Sequence, residues 1–234
     1  MARQEWNLTD QLMHLVHHGL SVSVDDIPPD TRTAVTARLV DVVGCALGGA
    51  RADGCAELRD LFVDQGGAPE ASVLGTAYRL PAANAAMTNA ICARSFDFEV
   101  MTVRYHDELI PSHHAATIVP VALALGQATG ASGAETLAAM LVGEDLSARL
   151  LIASGLDFGQ GWDGSGLYSG PGAALTAARL LQLTPNQTIH AIGLAVAQLS
   201  HTIQDLYDGS TGFKFGQGTA ARNAIVSAQL AKGG

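Results

Sequence analysis

Basic residues are scarce in this chain: 13 lysines and arginines face 22 acids in 234 residues, for a net charge of -9. Binding nucleic acid through its phosphates needs a concentrated basic face, so nucleic acid is not expected as a partner. Cysteine is scarce too. Cys45, Cys55 and Cys92 are odd in number and lack metal-ligand spacing, which points to reduced, buried thiols rather than a disulfide framework. Aromatic residues make up only 5%, so the core must be filled largely by small side chains. Long apolar runs are missing as well. The longest, Thr117 to Leu125, contains Pro120 and is far short of the roughly 20 residues that span a bilayer, so no membrane segment is expected. The opening Met-Ala-Arg-Gln-Glu-Trp carries no apolar stretch or small-residue cleavage site, and a cytoplasmic location is expected.

What is present is 48% hydrophobic residues arranged mostly at helical spacing, enough to fill the core of a single domain over 1–234. Trp6 to Gly19 reads as a helix, and Val35, Leu39, Val42 and Ala46 form one apolar face of the next, which Gly48-Gly49 ends. Residues 55–65 and 84–94 read as further helices, with Ala71 to Leu74 briefly extended between them. Helix returns from His114 to about Gln127. Ser132 with Glu135, and Thr184 with Gln187, have the capping-box spacing that starts a helix, and a last helix is expected after Gly218. Three segments break the pattern and are expected to be loops on one side of the domain: 97–112, the glycine-rich 155–172, and 205–217. The expected fold class is all-α.

The first of these loops is dense in chemistry, running from Asp97-Phe98-Glu99 through Arg104, His106 and Asp107 to Ser112-His113-His114. Imidazoles move protons most easily near neutral pH. The spacing His106-x6-His113-His114 matches no compact metal motif, and no metal is expected. Thr211-Gly212-Phe213-Lys214 leads straight into a helix start, where an ammonium and free N–H groups make a plausible carboxylate cradle. No phosphate-loop or nucleophile-elbow motif is present.

The order of these motifs resembles the MmgE/PrpD family of 2-methylcitrate dehydratases and cis-aconitate decarboxylases, over nearly the whole chain. Leu39-Val40-Asp41-Val42-Val43-Gly44-Cys45 is similar to the family's first long helix. Ser95-Phe96-Asp97-Phe98 resembles its aspartate-bearing segment, and Pro111-Ser112-His113 with Thr117 to Ala124 resembles its active-site histidine and following helix. Gly143-Glu144-Asp145 to Leu150, and Gly172-Ala173-Ala174 to Leu181, resemble two later stretches. Two positions depart from the pattern: Asp163 in Gly161-Trp162-Asp163-Gly164 stands where the family commonly has a second histidine, and the family's lysine position holds Phe213, with Lys214 one residue later. The family's smaller α/β lid domain has no counterpart in these residues.

The resemblance implies a lyase, hydro-lyase or decarboxylase, acting on a small di- or tricarboxylate without a metal or organic cofactor. It implies His113 as the acid–base residue, Asp97 as its hydrogen-bonding neighbour, and Asp163 as a substitute acid–base group. Lys214, Arg104 and His106 are then the substrate-binding candidates. An isomerase or epimerase of the same family is the alternative, as is a non-catalytic or half-site subunit needing a lid-bearing partner. A homodimer, or a heteromer with such a subunit, is the expected assembly.

Overall fold

The computed structural model describes residues 8–100, 102–155, 161–199 and 201–234. The expected start of the first helix at Trp6, and residues 156–160 of the glycine-rich segment, lie outside them. Ten α-helices are found among the described residues: α1 (Leu8–Ser21), α2 (Pro29–Gly49), α3 (Cys55–Gln65), α4 (Ala82–Arg94), α5 (Ala115–Thr129), α6 (Gly133–Ser154), α7 (Gly164–Leu180), α8 (Pro185–Val196), α9 (Gln204–Tyr207) and α10 (Phe215–Gly233). The helix starts follow local chemistry. Ser132 accepts from the Glu135 N–H, and Thr184 and Gln187 form a reciprocal capping box, each satisfying N–H groups that have no partner inside the helix. Pro29 opens α2 at its first position, and Pro28 before it offers no side-chain acceptor as a cap.

Helices α4, α5, α7 and α10 pack against one another at the centre, with α2, α6 and α8 around them. Their contact faces are built of small residues, among them Ala85, Ala86, Ala90, Ala116, Ala174, Ala221 and Ala224, all fully buried. The crossing of α6 and α7 is one of the close approaches this allows. A Cβ on Gly172 would stand 2.3 Å from the Gly143 carbonyl oxygen, and one on Gly143 would stand 2.8 Å from the Gly172 carbonyl oxygen, so both positions require glycine for the backbones to meet.

All three expected loops hold more order than the sequence suggests. Within 97–112, β3 (Thr102–Tyr105) and β4 (Glu108–Pro111) form an antiparallel hairpin, with Tyr105 paired to Glu108 across a two-residue turn in which His106 has φ 52°. Within 155–172, α7 begins at Gly164, despite three further glycines and Pro171, because packing against α6 rewards small side chains there. The third, 205–217, contains α9 and a 3-10 turn over Thr211–Lys214, and α10 starts at Phe215 instead of after Gly218. The brief extended stretch expected from Ala71 to Leu74 narrows to β1 (Ala71–Ser72), which pairs with β2 (Arg79–Leu80). Among the described residues no helix is long and apolar enough to cross a membrane.

Candidate active site

The end of α4, the residues leading into the hairpin, the start of α5 and the turn before α10 converge on one buried polar cluster. Arg94 is the last residue of α4, and its guanidinium is buried. It is ion-paired to Asp97 and lies 3.8 Å from Glu99 Oε1, while its flat face covers the Phe213 ring at 4.9 Å. Burial lowers the Arg94 pKa, with Glu99 and Asp163 opposing the shift. His113, just before α5, places Nδ1 2.9 Å from Glu99 Oε1 and 3.7 Å from Asp97 Oδ1. Glu99 therefore holds the imidazole, and Asp97 sits beside it, facing Arg94. An ionised carboxylate only accepts, so Nδ1 carries the shared hydrogen and Nε2 is left as a base. The second oxygen of Glu99 is buried without a hydrogen-bond partner among the described residues.

Donor atoms of Asp97, Glu99 and His113 lie within 4.8 Å of one another, a set that can bind a divalent cation. Arg94 already pairs with both carboxylates, and its fixed charge opposes a cation there.

The other two segments close around this cluster. Trp162 bridges Thr202, and the Asp163 N–H donates to the His201 carbonyl at 3.1 Å, which pins 161–163 against 201–203. Asp163 is buried. Lys214 is buried as well, with Nζ donating to the Asp53 carbonyl at 2.6 Å and to Ser95 Oγ at 3.3 Å, and lying 3.8 Å from Cys55 Sγ. Arg104 and His106 are exposed on the hairpin, where the His106 ring packs on Tyr105.

A family model described as the MmgE/PrpD N-terminal domain matches residues 13–234. The chain belongs to the MmgE/PrpD family. It is 28% identical over 228 residues to a cis-aconitate decarboxylase of Aspergillus terreus, covering 94% of this chain and 45% of that protein. It is likewise 28% identical over 239 residues to the cis-aconitate decarboxylase-like protein oryM of Aspergillus oryzae, covering 98% of this chain and 48% of that protein. The chain thus spans about half the length of the curated relatives it matches.

Against the MmgE/PrpD pattern, the one-residue displacement at 213–214 acquires a physical meaning. Phe213 takes the position beneath Arg94, and Lys214 turns toward α3 and α4. Two groups in the cluster were missed as participants from sequence: Arg94, whose signal is a lone charge ending a helix of small and apolar residues, and Glu99, which reaches His113 only because the hairpin turns the chain back. Gln217 on α10 is also wholly buried with both amide atoms unpartnered among the described residues, and no local pattern marks it.

His114, next to His113, differs from it chemically. Its Nδ1 is hydrogen-bonded to Ser112 Oγ, and burial, then Arg38 and His113, push the imidazole down to about 3. It is therefore neutral in the fold and does not cap α5. Unfolding restores an ordinary value near 6.5, so the stability tied to the neutral ring is complete above that pH and is lost as pH falls toward 3. Between pH 6.5 and 5 this amounts to about 2 kcal/mol. Denaturant titrations at the two pH values are expected to differ by that amount, and His114→Gln to flatten this part of the profile.

Proposed function

We propose that this chain supplies the acid–base half of a lyase site that acts on a small di- or tricarboxylate, by elimination of water or of carbon dioxide. The observation that carries this reading is the buried His113–Glu99 contact of 2.9 Å, which fixes the ring and leaves Nε2 to move a proton beside a carbonyl carbon. Membership of the MmgE/PrpD family and the names of the two fungal relatives support the same chemistry. Asp97 neutralises Arg94, and Asp163 places a further carboxyl group near that charge. Lys214 provides the cation for a substrate carboxylate through a charge-assisted hydrogen bond.

We further propose that the site is completed by a second protein surface, a second copy of this chain or a lid-bearing partner. Exposed Val40, Phe96 and Phe98 line an apolar groove beside the cluster that such a surface would cover. The test is incubation of the protein, alone and with a lid-bearing partner, with a panel of di- and tricarboxylates in deuterated water. Proton NMR is expected to show exchange or product formation, and silence in every combination sinks the reading. Lys214→Met is expected to weaken dicarboxylate binding about ten- to a hundredfold, the loss of one charge-assisted hydrogen bond, by calorimetric titration. Lys232→Met, whose exposed ammonium meets the Leu181 carbonyl, is expected to bind as the wild type does.

A further inference from the structure

We propose that Cys55 is a buried thiolate that acts as the counter-ion of Lys214 and positions its ammonium beneath the candidate active site. The proposal uses the reading above only in giving Lys214 a carboxylate to bind. Its starting point is an imbalance of charge. Lys214 is 5% exposed, and among the described residues no carboxylate lies within ion-pair distance of its Nζ. Its oxygen partners, the Asp53 carbonyl and Ser95 Oγ, are both neutral. A buried ammonium without an anion is costly, and such groups are either paired or give up their proton. The remaining neighbour is Cys55 Sγ at 3.8 Å, among the described residues the one contact that can carry a negative charge.

The surroundings of Cys55 favour that charge independently of Lys214. Cys55 is the first residue of α3, directly after Gly54, whose φ of 79° starts an 11-residue helix, so the sulfur sits at the positive end of the helix dipole. The sulfur is buried and lies 3.3 Å from Ser95 Oγ, the same hydroxyl that contacts Lys214. The neighbouring Cys92 thiol, then Ser95 and Lys214, outweigh burial and bring the Cys55 thiol down to about 6. Cys92 and Cys45 shift upward, the first through the neighbouring Cys55 and through burial, the second through burial and the nearby Asp41 and Glu99 carboxylates. Near neutral pH the three thiols therefore divide into one anion and two neutral groups.

Cys55 is thus a positioning residue, acting through Lys214, and its charge can be read without any substrate. The experiment follows the ultraviolet absorbance of thiolate against pH in the wild type, Cys55→Ala, Lys214→Met and a Cys45→Ala/Cys92→Ser variant that leaves Cys55 as the sole thiol. One thiolate is expected to disappear on acidification with a midpoint near 6 in the wild type. It should persist in the double variant, vanish in Cys55→Ala, and move upward by about one unit or more in Lys214→Met, since each unit corresponds to about 1.4 kcal/mol of lost pairing. A transition that survives Cys55→Ala, or a midpoint that Lys214→Met leaves in place, overturns the proposal. Should Cys55→Ala fail to fold, the double variant decides alone, because a midpoint at the ordinary thiol value of about 8.5 also overturns it. A protein that shows this thiolate yet turns over no carboxylate would sink the lyase reading and leave the ion pair standing.

Discussion

His113→Ala is expected to lower turnover by about 10²–10⁴-fold, the usual contribution of a positioned acid–base group, while the helical circular dichroism stays at the wild-type level. The residue lies before α5, outside the apolar helix interfaces, and its ring bonds to Glu99 instead of filling the core. Glu99→Gln separates the base from its support. The amide keeps an acceptor for Nδ1 but weakens the hydrogen bond that holds the ring, so turnover is expected to fall less than in His113→Ala while the fold survives. Wild-type turnover by His113→Ala would remove the histidine from the chemistry.

Arg38→Met is expected to be the most damaging single change to stability. Arg38 Nη1 lies 2.6 Å from Glu144 Oε2, and Glu144 is buried, its other oxygen without a hydrogen bond among the described residues. Burial raises the Glu144 pKa, and Arg38 is what opposes that shift. Leaving such a carboxylate without its cation typically costs about 3–5 kcal/mol, or roughly 6–20 °C in melting temperature for a chain of this size. Arg38→Met combined with Glu144→Gln is expected to recover most of the loss. A melting temperature unchanged in the single variant would show that the pair contributes nothing.

The contrast between these two sites shows what the sequence makes legible. His113 and Asp97 stand out in one polar stretch, and helices α6 and α8 follow from the caps Ser132 and Thr184, which act within three residues. Glu144, by contrast, has Asp145 beside it, and Asp145 does pair with Arg149 one turn away at 2.7 Å, as helical spacing predicts. The partner of Glu144 is 106 residues distant, and no local pattern can indicate it. Glu99 and His113 are separated by 14 residues, and their contact depends on a hairpin hidden in a segment whose mixed polar residues read as loop. Helix α7 was obscured for the opposite reason: glycine weakens a helix locally, but here it permits the approach of α6 that stabilises it. Lys214 was visible as a charge near a helix start, whereas its burial against Asp53, Cys55 and Ser95 depends on α3 and α4 arriving from elsewhere in the chain.

The hairpin β3–β4 also makes this stretch of polypeptide a natural place for grafting. The chain departs after Glu99 and returns before His113, while the carboxylate is steadied by Arg94 on α4 and the imidazole leads into α5. The tip at His106 and Asp107 is exposed and remote from both anchors in the pairing register. Extra segments spliced in at that tip, a tag or an entire small domain, enlarge a closed loop whose entropy grows only with the logarithm of its length. The acid–base pair and the outline of the protein can therefore change independently of each other.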